Sequence, residues 1–449
     1  MQSLEEIVRE LDRRILSDPR VGPQLFATMI EEERAGGLLH GDRPICPFLR
    51  PYLLPRSRYD EIAGAARTLA TAFERMVESA LGDDRLVDAL GATEREARYA
   101  RIDPGYAALC VSSRLDTFLT EDGFQFLEYN AESPAGLGDQ RILERVLSNV
   151  PAVRELFEMG DIWRPQPDRR VLGALVAAYH EWGGERERPR IAIVDWTGVP
   201  TEAEFHILAR YFESQGYPTV IADPGELRYD GSSLEVGGEA VDVVYKRVII
   251  HELLERADDS HPLLRAYADG RVCLANSFRA KLAHKKASLA VLGDPEHARL
   301  FTDEQHDVIR RHIPWTRVVR EGPVELDGRE WTMRELLGAE RERLVLKPND
   351  DYGGHDVAVG HATTPEDWSA AIDLAFAGSY VVQECVPMHR EPIPLFEDGR
   401  AEVREMTVDF DPFLFHNEVE GGLVRMSSTA LSNVSSGGGE TALVVVEGY

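Results

Sequence analysis

The stretch that most constrains the fold is residues 114–130, RLDTFLTEDGFQFLEYN. It reads as two short strands joined by Glu121-Asp122-Gly123, with glycine where a three-residue hairpin wants a left-handed residue. Side chains alternate along a strand, so Arg114 and Asp116 share one face, and Glu128 and Asn130 share one face of the other strand. Pairing Thr120 with Phe124 sets Phe118 against Phe126, Asp116 against Glu128 and Arg114 against Asn130. Two carboxylates, an amide oxygen and a guanidinium then converge on one patch. Like charges about 4 Å apart repel by roughly 4 kcal/mol at an effective dielectric near 20. The pair therefore needs a proton, the Arg114 charge, or a cation between its members. All-oxygen ligands with water to spare suit magnesium held by substrate phosphates. Taken alone, the stretch is equally a solvated hairpin with its polar residues outward.

The 449 residues are enough for about three domains with real cores, and the 43% hydrophobic and 29% charged fractions are those of a globular protein. No apolar run approaches the roughly 18 residues of a membrane span, and the opening MQSLEEIVRELDRR is an acidic amphipathic helix, not a signal peptide. The cysteines Cys46, Cys110, Cys273 and Cys385 are scattered without a CxxC pair, and three sit in apolar surroundings. That pattern favours buried free thiols over zinc or disulfides. The expectation is a cytoplasmic protein with no membrane partner. A net charge of −28 argues against a nucleic-acid partner. It suits an amine-bearing substrate, and an acidic solvated surface accounts for it equally well.

Lysine usage is more selective. Among 50 basic residues only five are lysine: Lys246, Lys281, Lys285, Lys286 and Lys347. Where arginine serves the general surface, a retained lysine marks a place for a compact point charge.

Residues 1–109 alternate amphipathic helical patterns, notably 59–81 and 84–90, with a proline-rich break, and nothing in them reads as catalytic. Residues 105–111 read as an apolar strand feeding the hairpin. After Asn130, the loop AESPAGLG brings Ser133 and backbone amides beside the acidic patch, where they suit a substrate carboxylate or simply turn into the helix 139–149. Residues 190–196, 219–223 and 241–249 are strands, with a helix at 201–215 between the first two. This order implies a parallel, Rossmann-like sheet. It lacks GxGxxG, so no dinucleotide fingerprint is present. Lys246 and Arg247 lie near a strand end, where such sheets place ligand contacts, or else form plain ion pairs. Residues 275–292 read as one helix carrying Lys281, Lys285 and Lys286, with Lys281 and Lys285 on a shared face. A solvated face is the plain account of that cluster. Further on, RLVLKPNDDYGGHDVAVG is a strand, a glycine loop and a strand, not a Walker loop. Residues 378–386, 402–409 and 422–427 are further strands, and 431–439 is a flexible run that suits a phosphate- or substrate-covering loop.

These pieces together resemble the circularly permuted ATP-grasp ligases, namely eukaryotic-type glutathione synthetase and the synthetase domain of glutathionylspermidine synthase, from about Cys110 onward. The family's RxD and ExN strands match Arg114, Asp116, Glu128 and Asn130. Its lysine–proline pair with a glycine-rich triphosphate loop matches KPNDDYGG at Lys347, Gly353 and Gly354. The resemblance implies magnesium on Asp116, Glu128 and Asn130, with Asp351 as a further ligand. It implies ATP on Lys286 and Lys347, with Lys285 one residue away, and an adenine hinge at Gln383, Glu384 and Val386. Arg114 and Arg425 would be catalytic, and Ser133, Lys246 and Arg247 would meet substrate. The expected architecture is α/β: a helical region over 1–109, the metal hairpin in 110–187, a Rossmann-like unit in 188–271 and the ATP-binding part in 272–449. There is no room for an amidase domain, and 1–109 carries no acceptor motif. The implied activity joins a small-molecule carboxylate to an amine. A small-molecule kinase on the same fold and a nucleotide-binding regulatory protein are the rival readings. The identities of acid and amine, and the oligomeric state, are not encoded in these motifs.

Overall fold

The computed structural model describes residues 3–351, 354–428 and 438–449. At its functional end the hairpin forms in the expected register. Strands Ser112–Leu119 and Phe124–Asn130 pair antiparallel, with Arg114 opposite Asn130 and Asp116 opposite Glu128. Towards the tip the register differs: Leu119 pairs with Phe124 and Thr117 with Phe126, so Phe118 faces Gln125 and not Phe126. The loop spans 120–123, with the Thr120 N–H donating to Gly123 O at 2.8 Å. Leu127 is the extra residue that a β-bulge absorbs. The bulge is anchored from the next strand, where the Asp411 carboxylate accepts the Thr117 N–H at 2.8 Å.

The hairpin is the edge of an antiparallel sheet. Ser112–Leu119 lies beside the long strand Arg400–Phe415, followed by Glu418–Ser427 and Gly439–Thr441, while Arg390–Glu397 pairs with the first half of the long strand. The strand expected over 105–111 is absent. Its end is held by a side chain: the N–H groups of Val111 and Ser112 both donate to Asn276 Oδ1, at 2.7 and 3.2 Å. Backbone groups satisfied in this way need no ladder partner.

Behind the hairpin runs the helix Arg56–Leu81, burying Ile62, Leu69, Phe73 and Met76 at helical spacing. Phe73 stacks on Tyr129 with ring centroids 4.4 Å apart. The preceding strand Tyr52–Pro55 pairs in parallel with Leu443–Val446, so one hydrophobic core takes in residues from Leu11 to Val446.

A second sheet is wholly parallel, as strand–helix–strand order predicts, in the order Cys273–Ala275, Val243–Lys246, Ile191–Val194, Thr219–Ala222. Its edge strand Cys273–Ala275 takes the residue at which the sequence pattern opens a helix. The single helix expected over 275–292 is instead two short ones, Ala280–His284 and Ala287–Leu292. Lys285 is extended between them (φ −60°, ψ 133°), and the Lys286 N–H donates to Asn349 O at 2.9 Å. Lys281 and Lys285 are therefore not neighbours on a continuous helix. Nor is their face solvated, since Lys281, Lys285 and Lys286 are all buried.

A third sheet, antiparallel, orders Thr316–Val318, Tyr380–Glu384, Leu344–Pro348 and Ala358–Val359. The last two are the strands read on either side of the glycine loop. Among the described residues no helix is long and apolar enough to cross a membrane.

Asn276 brackets this arrangement. Besides accepting from Val111 and Ser112, its Nδ2 donates to Ser112 O at 2.6 Å and Ala131 O at 2.7 Å, tying the start of one hairpin strand to the residue after the other. Replacing it with leucine strands several buried backbone groups at about 1–3 kcal/mol each. Asn276→Leu is expected to lose about 3 kcal/mol or more of stability by urea denaturation. A loss below about 1 kcal/mol would show that the bracket is dispensable.

Candidate active site

The three sheets meet around a cleft of about 600 Å³. Its lining includes Arg114, Asp116, Glu128 and Asn130 from the hairpin, Arg425 from the same sheet, and Lys286 and Lys347 from beyond the parallel sheet. Acidic and basic residues far apart in sequence thus share one cavity.

At its floor lies a buried charge knot. Arg114 grips Asp116 with two nitrogens, at 2.9 and 3.2 Å, and Asn130 Nδ2 donates to Asp116 Oδ1 at 2.7 Å. Arg425 Nη2 donates to Asp116 Oδ2 at 2.8 Å and lies 3.0 Å from Asp409 Oδ2 and 2.8 Å from Asp411 Oδ2. Burial would raise the Asp116 carboxyl, but Arg114 and Arg425 outweigh it and hold the group below its ordinary range. Asp411 goes the other way: burial, with Asp116 and Asp409 adding to it against Arg425, keeps its carboxyl well above the ordinary range. Asp409 and Asp411 were legible and missed. TVDFDPF alternates apolar and acidic residues, which puts both aspartates on the face shared with Arg425.

The lysines divide into two groups. Lys286 Nζ lies 3.2 Å from Glu128 Oε1 and donates to Asp351 O at 2.7 Å. Lys347 donates to Gln383 Oε1 at 2.7 Å, and burial pulls its ammonium down to about 8 against the attraction of Glu128. Both therefore stand beside the acidic hairpin. Lys281 and Lys285 are structural. Asp350 bonds both, Lys281 lies 2.9 Å from Glu132 Oε1, and Lys285 lies 3.1 Å from Glu96 Oε2. Glu132, His284 and Asp350 cluster as metal ligands might be imagined to do, but the Lys281 ammonium already bonds two of the three.

Other expected contacts fall as follows. Lys246 is fully buried outside the cleft lining, with Nζ donating to Val248 O at 3.2 Å. Its apolar strand carries it into the core. Arg247 does line the cleft, yet its guanidinium is engaged by Glu204 at 3.1 Å and by Pro134 O. Ser133 lines the cleft while its hydroxyl donates to Arg247 O at 2.9 Å. Gln383 is buried between Lys347 and Thr316 and reaches the cleft only through Lys347. Glu384 and Val386 line a neighbouring cleft of about 1140 Å³, and Glu384 pairs with Arg343 at 2.7 Å. Gly354 (φ +76°) and Asp351 line the main cleft. Gly353 and residues 431–437 of the flexible run lie outside the described residues.

The donor chemistry fits a divalent ion with a nucleotide. Asp116 and Glu128 are cross-strand partners, Asn130 adds an amide, and these hard oxygens face two lysine ammonium groups suited to phosphates. Any ion would compete for Asp116 with its two arginines.

No family model matches the chain. Two curated relatives from Frankia align with 71% of it: "Putative glutamate–cysteine ligase 2-3" of Frankia alni at 26% identity, and "Putative glutamate–cysteine ligase 2-2" of Frankia casuarinae at 24%. The chain spans about a third of the length of these relatives, the alignments covering 36% of each. Among solved structures, a glutathione synthetase-like effector of Globodera pallida in its apo form superposes with a TM-score of 0.60 at 14% identity, covering 96% of this chain and 98% of that one. The chain therefore has a glutathione synthetase-like mixed α/β fold.

The lysine–carboxylate network beneath the cleft sets an acid limit on stability. Burial would raise Glu132, but Lys281 above all holds it down, from 4.5 to about 2. A depressed carboxyl contributes stability that is present above pH 4.5 and is lost as pH falls towards 2, about 3 kcal/mol in all. Denaturant midpoints measured between pH 6 and pH 2.5 are expected to fall with acid in the wild type and distinctly less in Glu132→Gln. Parallel curves would remove Glu132 from the account.

Proposed function

We propose that the chain is an ATP-dependent carboxylate–amine ligase of the circularly permuted ATP-grasp kind, resembling the synthetase domain of glutathionylspermidine synthase. The observation that carries it is Lys286 within 3.2 Å of Glu128, in one cleft with Asp116, Asn130, Lys347 and two arginines. The Frankia relatives, named as putative glutamate–cysteine ligases, support the reaction type. In this reading residues 110–187 and 272–449 build the nucleotide site. Residues 188–271 form a Rossmann-like unit over the acyl substrate, and 1–109 brace the hairpin from behind.

Lys286 and Lys347 hold the phosphates of ATP, with Gly354 beside them in the cleft lining. Gln383, Glu384 and Val386 frame the adenine. Asp116, Glu128 and Asn130, with Asp351 beside them, are the magnesium ligands. Held by those residues, magnesium would supply positive charge against the phosphates of ATP. Arg114 and Arg425 steady the phosphoryl group in flight, and Ser133 with Arg247 orients the acyl substrate. A carboxylate oxygen attacks the γ-phosphorus and ADP leaves. The amine nitrogen, in its uncharged form, then attacks the acyl carbon of the acyl phosphate, the carbon–oxygen bond to phosphate breaks, and phosphate departs with the electron pair and takes up the proton that the nitrogen releases. Positioning and charge neutralisation supply most of such catalysis.

A panel of amino acids, peptides and polyamines, assayed for ADP with mass detection of condensed product, tests the proposal. The wild type is expected to form ADP together with a product of acid plus amine minus water. Lys286→Met and Glu128→Gln are each expected to lose about 10²- to 10³-fold in turnover while remaining folded. Unchanged turnover in Glu128→Gln, or a stable phosphorylated product formed without amine, would overturn it.

A further inference from the structure

Beyond the charge knot the cleft holds a second pair of acids with a different environment. Asp139 stands immediately before the helix Gln140–Leu147, where an aspartate ordinarily caps the free N–H groups. Its side chain accepts none of them. It lies instead against the carboxyl of Glu440. Glu440 is the cross-strand partner of Arg425, and its N–H donates to Ile45 O at 2.8 Å. The residue is only 7% exposed, yet both Asp139 and Glu440 line the cleft. Glu440 Oε2 has no hydrogen-bond partner among the described residues.

Such an oxygen is costly to leave unmatched, by about 1–3 kcal/mol. The neighbouring cations do not supply the match. Arg247 is engaged by Glu204, Arg114 by Asp116, and Arg425 by Asp116, Asp409 and Asp411. The guanidiniums of Arg114, Arg247 and Arg425 are thus already matched by Asp116, Glu204, Asp409 and Asp411. Burial first, and then Glu440, holds the Asp139 carboxyl well above its ordinary range, and burial pushes Glu440 up to about 7. Among the described residues no ion pair is formed with either acid, and both line the cleft.

We propose that Asp139 and Glu440 form the amino-group subsite of the cleft, receiving the primary amine of the nucleophilic substrate in its ammonium form, which gives one proton to solvent before the nitrogen attacks. This rests on the ligase reading above. An ammonium brings three N–H donors. One meets Glu440 Oε2 and another Asp139, which places the nitrogen next to the strand position of Arg425, at the edge of the knot that steadies the phosphoryl group. A phosphate or carboxylate would be repelled from the same spot, so the two acids also keep the acid and amine ends of the reaction apart.

Binding of simple amines to the full-length chain tests this without knowledge of the natural substrate. Butylammonium is the probe, with butanol as its uncharged counterpart and tetramethylammonium as a cation without N–H donors, each followed by saturation-transfer NMR. Magnesium-ATP affinity is measured alongside. Butylammonium is expected to bind the wild type while butanol and tetramethylammonium do not. Glu440→Gln and Asp139→Asn are each expected to weaken it by about tenfold or more, with nucleotide affinity kept within about twofold. No binding to the wild type, or unaltered binding to both variants, would overturn the subsite. Loss of nucleotide binding in a wild type that still takes butylammonium would instead strike the ligase reading and leave the subsite standing.

Discussion

Arg425 is the interaction on which the site depends. Its guanidinium touches carboxylates from two strands of one sheet: Asp116 on the hairpin, and Asp409 and Asp411 on the long central strand. Burying so much charge is unfavourable unless every member is paired, and breaking one such contact leaves an uncompensated ion in a poorly solvated place. The arrangement therefore fixes geometry more than it adds stability. It sets the rotation of the hairpin against the long strand, and with it the direction in which Asp116 and Glu128 face. The bulge at Leu127 serves the same end. By anchoring the Thr117 amide to Asp411, it lets the tip of the ribbon slip one residue while the functional end stays in register.

The chain's helices and its parallel sheet act on this centre through side-chain contacts. Asn276 joins the end of the parallel sheet to both hairpin strands, and the helix Arg56–Leu81 closes the hairpin's apolar face through Phe73. The region before residue 109, which carries no motif, thereby determines how rigidly the acidic face is held. It also reaches the cleft itself through Leu39, His40 and Ile45.

Much of this was legible in sequence where chemistry and local geometry coincide. Alternation alone brought Arg114, Asp116, Glu128 and Asn130 together, and strand–helix–strand order gave the parallel sheet. The failures share a cause, which is that tertiary contacts overrode a local pattern. Alanine-rich residues from 275 read as one helix, but Lys285 and Lys286 are each drawn to partners near residue 350, and the helix breaks between them. Lys246 has the charge of a ligand contact and the strand position of a core residue, and the core prevailed. Asp139 and Glu440 gave no signal because their meeting depends on the pairing of a strand some 300 residues away, which no periodicity encodes.

The scarcity and placement of lysine carry one last consequence. Four of the five lysines are buried and the fifth, Lys347, is half-buried in the cleft wall. Amine-directed acylating reagents, which on most proteins decorate the exterior at random, would here find few side chains outside that cavity. Because burial pulls the Lys347 ammonium down to about 8, it offers an uncharged nitrogen at mildly alkaline pH. A general labelling chemistry thus becomes, for this molecule, a selective one.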